Sequence, residues 1–563
     1  MYKSNLNPMF RSKFAEDIFN QKYRHEGAET WETLCKTLVL DVTSHSDGHY
    51  LTPQEITRLT QLMVEMKFLP GGRYLYYAGR PNKYFNNCYL LRAEEDSRED
   101  WANLAWKAES CLMTGGGIGV DYSRYRAAGT PIARTGGVAS GPIPKMLSIN
   151  EQGRNVMQGG SRRSAIYASL NWQHGDIPQF LTSKDWESMM VGTTGQSIWD
   201  IKQQDFNYPA PLDMTNISVN YDTAWLLEYY RTGNPGEVFL QNVRQALRTA
   251  EPGFSFNFFD KEDETLRNAC TEVTSEDDSD VCNLGSVNFS RITSLEELKE
   301  VVELGTKFLI CGTLKAKLPY GKVGLVREKN RRLGLGIMGV HEWLIRKGYR
   351  YEVTPELHQW LSVWKGVSDT VSRDFADHLG ISRPVANRAI APTGTIGILA
   401  GTTTGIEPIF AVAYKRRYLK GGTRWHYQYV VDSAAQGLID LYGVDPDSIE
   451  SAIDLAQDYE RRIKFQADVQ DYVDMSISST INLPAWGSKY NNEDTVNDFA
   501  HTLAKYAPRL RGFTCYPDGS RGGQPLTSVP YSEAVAKLGE EFEEHVETHD
   551  ICDISGSGGS CGI

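Results

Sequence analysis

Helical patterning fills the first 70 residues. Residues 29–42 form one such run, and a second follows Thr52. There Pro53 suits the first helical position, because the N–H it lacks would have no partner in any case. From about 71 to 290 the texture changes. Gly-rich turns alternate with short β-branched and aromatic runs such as NISVNY at 216–221 and VCNLGSVNFS at 281–290. Ser294 then opens a capped helix, with Glu297 three residues on and Leu295, Leu298 and Val302 at helical spacing. Further helices are expected near 355–380, 424–442 and 447–475, separated by Gly-rich loops. Residues 532–550 read as a charged amphipathic helix. The last stretch, ICDISGSGGSCGI, has the Gly/Ser composition of a flexible linker. Strands alternating with helices predict an α/β barrel or sheet, without internal repeats.

Composition narrows the function classes. The 563 residues are 40% hydrophobic and 23% charged, as in an ordinary globular protein. No apolar run approaches the roughly 20 residues of a bilayer span, and the start lacks a signal-peptide core, so a cytoplasmic protein without a membrane partner is expected. The net charge of −12, with no large basic tract, argues against a general nucleic-acid binder. It leaves room for a nucleotide, which a few arginines and backbone N–H groups can hold. The nine cysteines are odd in number and include no CxxC pair. That argues against both a disulfide framework and a zinc ribbon, and no metal site built from protein side chains is expected.

The candidate chemistry centres on Asn268-Ala269-Cys270-Thr271-Glu272. In an extended segment, alternate residues share a face at about 6–7 Å spacing, so a thiol would be flanked by an amide and a carboxylate. Ten residues beyond Glu272, Cys282 begins CNLGSVN, and much earlier Cys88 follows Asn86-Asn87. Cys35, Cys111 and Cys311 lie in helical, apolar surroundings and read as core. Cys552 and Cys561 sit on the Gly/Ser-rich tail, where a redox role is the more economical reading.

NACTE followed by CNLGS, with NNC before them, resembles the catalytic subunit of ribonucleotide reductase. Other segments agree in order: LPGGR (69–73), TGGGIGV (114–120), QGGSRR (158–163), RRLGLGIMG (331–339), APTGTI (391–396), GIEP (405–408), STINLP (479–484) and YPDGSR (516–521). The resemblance covers roughly residues 65–525 and is greatest to the adenosylcobalamin-dependent, class II form. It implies a ten-stranded α/β barrel of two five-stranded halves around a central finger loop. The implied division is an N-terminal helical segment (1–70), the barrel (71–530), and a C-terminal helix with a redox-active cysteine tail (531–563). An additional ATP-cone domain does not fit before the barrel.

The resemblance also implies roles. Cys270 would carry a thiyl radical that takes the ribose 3′-hydrogen. Glu272 would be the general base on the 3′-hydroxyl, and Asn268 would hold the substrate. Cys88 and Cys282 would supply protons and two electrons. Cys552 and Cys561 would reduce the resulting disulfide by thiol exchange, with a thioredoxin-like dithiol restoring the tail. Pro392, Thr393, Gly394, Thr395 and Ile396 match the loop that binds substrate phosphate. A dNTP effector would meet Asp96 and Ser97, the loop carrying Arg124 and Arg126, and Gln158, Arg162 and Arg163. Ser164 stands where the pattern expects glycine. A homodimer is expected, facing its partner with helices near 98–113 and 141–157.

The radical source separates the classes. Class I members relay the radical from a separate subunit through two adjacent tyrosines just after the barrel. The pairs here, Tyr76-Tyr77 and Tyr229-Tyr230, come far too early, and the matching region reads Cys515-Tyr516-Pro517-Asp518. The tail lacks the Arg and Tyr setting of a glycyl-radical site. Adenosylcobalamin is therefore the implied cofactor, its cobalt the only metal. Class II tails usually end in CxxC, whereas eight residues separate Cys552 from Cys561. The alternatives are a class I-type subunit, a catalytically idle nucleotide-binding regulator, and a plain thiol–disulfide oxidoreductase.

Overall fold

The computed structural model describes residues 9–156, 164–192, 195–205, 208–420, 424–520 and 526–545. Nine strands form one continuous ladder: β1 Cys88–Leu91, β2 Gly117–Asp121, β3 Ile166–Asn171, β4 Thr215–Tyr221, β5 Gly253–Phe256, β6 Asp280–Asn288, β7 Leu333–Met338, β8 Thr480–Leu483 and β9 Gly512–Pro517. Their spatial order is β7-β6-β1-β2-β3-β4-β5-β9-β8, and a short strand, Phe68–Pro70, pairs with β6 as a tenth member.

Strand direction divides the sheet into two halves. β1 to β5 are all parallel. β6 with β7, and β8 with β9, are parallel within their own half. Both junctions, β6 with β1 and β5 with β9, are antiparallel. The regular ladder stays open between β7 and β8, and residues 386–390 span the gap. Leu333 and Leu335 N–H groups donate to the carbonyls of Ala386 and Asn387 at 3.0 Å. Ile390 forms a parallel bridge with Ile477, just before β8. This segment supplies the fifth member of the second half.

The strands facing the ring are almost wholly buried, as parallel sheets covered by helices on one face and filled on the other must be. The helical expectations at the front of the chain hold. Trp31–Thr43 is capped by Thr30, and Pro53–Val64 carries a full capping box between Thr52 and Glu55. Both pack in one apolar core with Leu295–Lys315, which Ser294 caps. Cys35, Cys111 and Cys311 are fully buried helical residues. Among the described residues no helix is long and apolar enough to cross a membrane.

Three expected helices are corrected. Residues 424–431 are a strand, Arg424–Val431, paired in a hairpin with Ala413–Lys420, and the helix begins only at Ser433. Residues 532–550 are not one helix either. Tyr531–Ala536 is helical, and Glu541–His545 is a strand added to the hairpin's edge. Alternating polar and aromatic residues in 424–431 (RWHYQYVV) fit a two-sided strand. In the later segment Gly539, at φ 87, ends the helical path. The expected 447–475 helix is broken into a one-turn helix, Ala452–Leu455, and a longer one, Tyr459–Gln470.

Candidate active site

The connection between β5 and β6 does not run over the outside; it turns into the ring. Leu266–Arg267 and Thr274–Ser275 pair as a short antiparallel stem, with Cys270 at the tip. The chain reaches the inside because β2 offers glycine there. A Cβ on Gly119 would lie 1.6 Å from the Arg267 carbonyl oxygen, and one on Gly117 would lie 3.2 Å from Ala269 Cβ. Arg267, fully buried, ties the stem down: its guanidinium donates to Asn257 Oδ1 at 2.7 Å and to the Arg511 carbonyl at 3.1 Å. Burial and the neighbouring Arg511 lower its pKa to about 9. Thr265 donates to Asp121 at 2.6 Å, and Arg511 pairs with Glu264 at 3.2 Å.

The extended reading of residues 268–272 is corrected. The tip is a tight turn: Thr271 has φ 71, and its N–H donates to the Asn268 carbonyl at 3.0 Å. A β-branched residue at positive φ is strained by about 1–3 kcal/mol, which the surrounding ring must offset. The turn still gathers the three side chains. Asn268 Oδ1 accepts from Val273 N at 2.9 Å, and Asn268 also hydrogen-bonds Glu272. Its Nδ2 reaches Cys88 Sγ at 3.1 Å. The Glu272 carbonyl accepts from Ser476 N at 2.8 Å, joining the tip to the segment before β8.

Cys88 and Cys282 are direct cross-strand partners where β1 meets β6. Opposed residues in an antiparallel pair have Cα atoms about 4.5–5.5 Å apart, inside the range a disulfide needs. Both are free thiols, and burial pushes both well above the usual thiol value, with the nearby Glu272 adding to the effect. They are therefore neutral S–H groups. Burial also raises Glu272 to about 7, against the opposing hydrogen bond from Asn268.

Cys88, Cys270 and Glu272 line one small cavity with Gly71, Asn87, Leu284, Ser286, Ala391, Pro392, Thr393 and Ile396. Cys270 is 6% exposed and lies inside the ring. The 392–396 loop thus reaches the same chamber. Thr393, at φ 51, starts the short helix Gly394–Ala400, and its hydroxyl accepts from Gly405 N at 2.7 Å.

The expected effector residues split into two sets. Asp96, Ser97, Arg124 and Arg126 gather at the start of helix Arg98–Met113. Arg126 pairs with Asp96 at 2.6 Å, Ser97 caps the helix, and Arg124 donates to the Glu94 carbonyl at 2.8 Å. Gln158, Arg162 and Arg163 lie outside the described residues, as do Cys552 and Cys561. Ser164 is buried and donates to the Val156 carbonyl at 3.4 Å.

A larger cleft opens at the end of the sheet where β8 and β9 finish. Trp186, Trp199 and Trp486 wall it, with Lys184, Arg248, Glu251 and Asp518. Lys184 pairs with Glu251 at 2.5 Å and donates to the Thr215 carbonyl at 2.7 Å. The next residue, Asn216, donates to the Ala269 carbonyl in the finger tip at 3.5 Å. The cleft and the Cys270 turn are therefore joined through adjacent residues of β4. No sequence signal singled out these tryptophans, which come from three separated segments.

The chain matches the family model described as ribonucleotide reductase, barrel domain, over residues 86–207, 224–358 and 382–512. It is 28% identical over 537 residues to a vitamin B12-dependent ribonucleoside-diphosphate reductase of Mycobacterium tuberculosis, covering 86% of this chain and 75% of that one. It is 28% identical over 536 residues to the protein of the same name from Thermoplasma acidophilum, covering 86% and 67%. A third relative, from Mycobacterium phage D29, is provisionally named an adenosylcobalamin-dependent ribonucleoside-triphosphate reductase. It is 25% identical over 699 residues, covering 93% and 96%.

Proposed function

Because the chain belongs to the ribonucleotide reductase barrel family, we propose that it reduces ribonucleotides to 2′-deoxyribonucleotides through a thiyl radical on Cys270, with adenosylcobalamin as cofactor. The observation that carries this reading is the chamber itself. Cys88 stands opposite Cys282 across the strand junction and lines one buried cavity with a third thiol, Cys270, and the carboxyl of Glu272, whose pKa is raised.

The residues divide the work. Hydroxide is a poor leaving group from an unactivated carbon, so the substrate must first become a radical at C3′. Cys270, as thiyl, takes the 3′-hydrogen atom. Glu272 accepts the 3′-hydroxyl proton, and a value of about 7 suits a base working near neutrality. A neutral thiol of the Cys88–Cys282 pair gives the proton with which the 2′-hydroxyl leaves as water. The pair then supplies two electrons and closes as a disulfide, and Cys270 returns its hydrogen to C3′. The balance is one ribonucleotide and one dithiol giving one deoxyribonucleotide, water and one disulfide. Asn268 holds the turn and the Cys88 sulfur in register throughout.

Adenosylcobalamin, when bound, supplies the radical that removes the hydrogen atom from the Cys270 thiol. The tryptophan-walled cleft would hold such a group: Trp199 and Trp486 are half-buried and line it, Trp186 lines it with Lys184 over its ring, and Arg248 and Asp518 supply polar groups at its edge. Support also comes from Tyr516-Pro517, which replaces the adjacent tyrosine pair expected of a class I relay.

Cys552 and Cys561 would regenerate the Cys88–Cys282 dithiol and be reduced by a thioredoxin-like protein. A dNTP effector would bind at Asp96, Ser97, Arg124 and Arg126 together with Gln158, Arg162 and Arg163. A second copy would pack on helices Arg98–Met113 and Pro142–Asn155, where Trp106 and Met113 are 55% and 66% exposed. The cytoplasm, where thiols stay reduced, suits this chemistry.

The test is anaerobic reduction of CDP and of CTP, with and without adenosylcobalamin, using a dithiol reductant. Deoxycytidine nucleotide should form only with the cofactor present. No product from either substrate in the complete mixture overturns the reading.

A further inference from the structure

Beside the redox pair lies a buried ion pair that the proposed reaction does not use. Arg332 donates through Nε to Asp280 Oδ2 at 2.7 Å, and the two side chains are 6% and 0% exposed. The same carboxylate oxygen accepts from Ser275 Oγ, on the finger stem, at 2.6 Å and from Asn330 Nδ2 at 2.9 Å. Buried ion pairs add little stability compared with apolar packing. Stability alone therefore does not account for one placed against a reactive sulfur.

The register sets it there. Asp280 and Cys282 are two apart on β6, so they share a face at a spacing of about 6–7 Å. β7 pairs with β6 through Leu333 and Asn283, and one step back along both strands Arg332 stands beside Cys282. Gly334, two residues beyond Arg332, shows which face this is: a Cβ there would lie 3.1 Å from Cys282 Sγ. A cation and an anion thus flank one thiol of the pair. Burial is the main reason that thiol stays protonated; Asp280 and Glu272 add to the effect, and Arg332 opposes it.

The two thiols also differ in access. Cys88 lines the chamber, and Cys282 does not. Cys282 Sγ instead donates to the Asn283 carbonyl at 3.3 Å. A reducing thiolate that enters the chamber therefore meets Cys88 first, and Cys282 becomes the leaving sulfur.

We propose that Arg332 and Asp280 are positioning residues for regeneration of the dithiol: Arg332 stabilises the Cys282 thiolate as it leaves, and Asp280 holds Arg332 in place and limits its effect. This rests on the reading of Cys88 and Cys282 as the redox pair. First, the reductant's sulfur bonds to Cys88 Sγ, the Cys88–Cys282 bond breaks, and its electron pair leaves on Cys282. The Cys282 thiolate takes a proton. The reductant's second thiol then gives up its proton, closes on its own first sulfur, and releases Cys88 as a thiolate, which is protonated in turn. One dithiol is oxidised and one disulfide is reduced. With Arg332 present, the departing thiolate forms beside a neutral ion pair. Without it, the thiolate forms beside the Asp280 carboxylate alone, and departure slows.

The test is the rate at which dithiothreitol reduces the Cys88–Cys282 disulfide, formed with diamide and followed by peptide mapping. The full chain is used with Cys552→Ser and Cys561→Ser, so that the tail does not exchange with the pair. Thermal unfolding of each variant controls for folding. Arg332→Gln should slow reduction roughly tenfold, since losing one nearby charge shifts a thiol by about one pKa unit or more. Arg332→Lys should restore most of the rate. Asp280→Asn should speed reduction, because the cation then faces the thiolate alone; damage to packing would move both variants the same way. An unchanged rate in folded Arg332→Gln overturns the proposal, and so does equal slowing in Arg332→Lys or any slowing in folded Asp280→Asn. If Asp280→Asn does not fold, the comparison of Arg332→Gln with Arg332→Lys decides. Failure of the parent protein to form a Cys88–Cys282 link overturns the redox-pair reading instead.

Discussion

Cys88 and Cys282 face each other as direct partners across the antiparallel junction of the two half-sheets. That register places two buried, neutral thiols at the spacing of a disulfide beside a third thiol that sits on a separate loop. In a Cys552→Ser, Cys561→Ser variant, whose tail cannot exchange with them, turnover without an external reductant should therefore consume these two thiols alone. After one equivalent of product, peptide mapping should find a Cys88–Cys282 link, and Cys282→Ala should leave no such link. A disulfide involving Cys270 in its place would contradict the division of roles.

Glu272 gives a pH dependence with a definite sign. It must be ionised to accept a proton, and burial holds it neutral up to about pH 7. Turnover should fall as pH drops through about 7, and Glu272→Gln should be inactive throughout. Stability runs the other way. The folded pKa is raised above the unfolded value, so the group's contribution is complete below about pH 4.3 and is lost as pH rises through about 7. Glu272→Gln should consequently gain most over the wild type in thermal unfolding above pH 7, and little at pH 4.

Gly119 makes space for the finger stem, since a Cβ there would overlap the Arg267 carbonyl. Gly119→Ala should cost about 1–3 kcal/mol of stability. It should also lower kcat by more than that loss of folded protein explains, because the stem carries Cys270. Chemical denaturation and activity measured on the folded fraction check both. Unchanged kcat would mean that the stem's position is irrelevant to the thiol.

The proposed placing of the cofactor in the tryptophan-walled cleft can be tested without turnover. Hydroxocobalamin should quench tryptophan fluorescence in the wild type, and Trp486→Ala should both weaken binding and reduce the quench. Full binding by a folded Trp186→Ala, Trp486→Ala double variant would move the cofactor elsewhere.

Much of this architecture was legible in the sequence. Thr52 and Ser294 announced their helices because an N-cap is a local signal, and NACTE, CNLGS and NNC pointed to Cys88, Cys270, Glu272 and Cys282, which the structure brings close together. The conformation of residues 268–272 was not legible. Alternation predicted an extended segment, whereas the ring forces the chain to reverse at Thr271, a constraint set by strands β2 and β9. The strand at 424–431 was hidden for a similar reason, since its partner strands come from residues 413–420 and 541–545. Trp186, Trp199 and Trp486 converge only in three dimensions.

The central claim is that the Cys270 sulfur takes the hydrogen at C3′. The most direct measurement is turnover of 3′-deuterated CDP or CTP, whichever the enzyme reduces, compared between the wild type and Cys270→Ala. The predicted result is a slower reaction than with the protonated substrate, deuterium found at C3′ of the product, and no turnover by Cys270→Ala. Product formed by Cys270→Ala, or a wild-type rate insensitive to deuterium together with loss of the label to solvent, would contradict it.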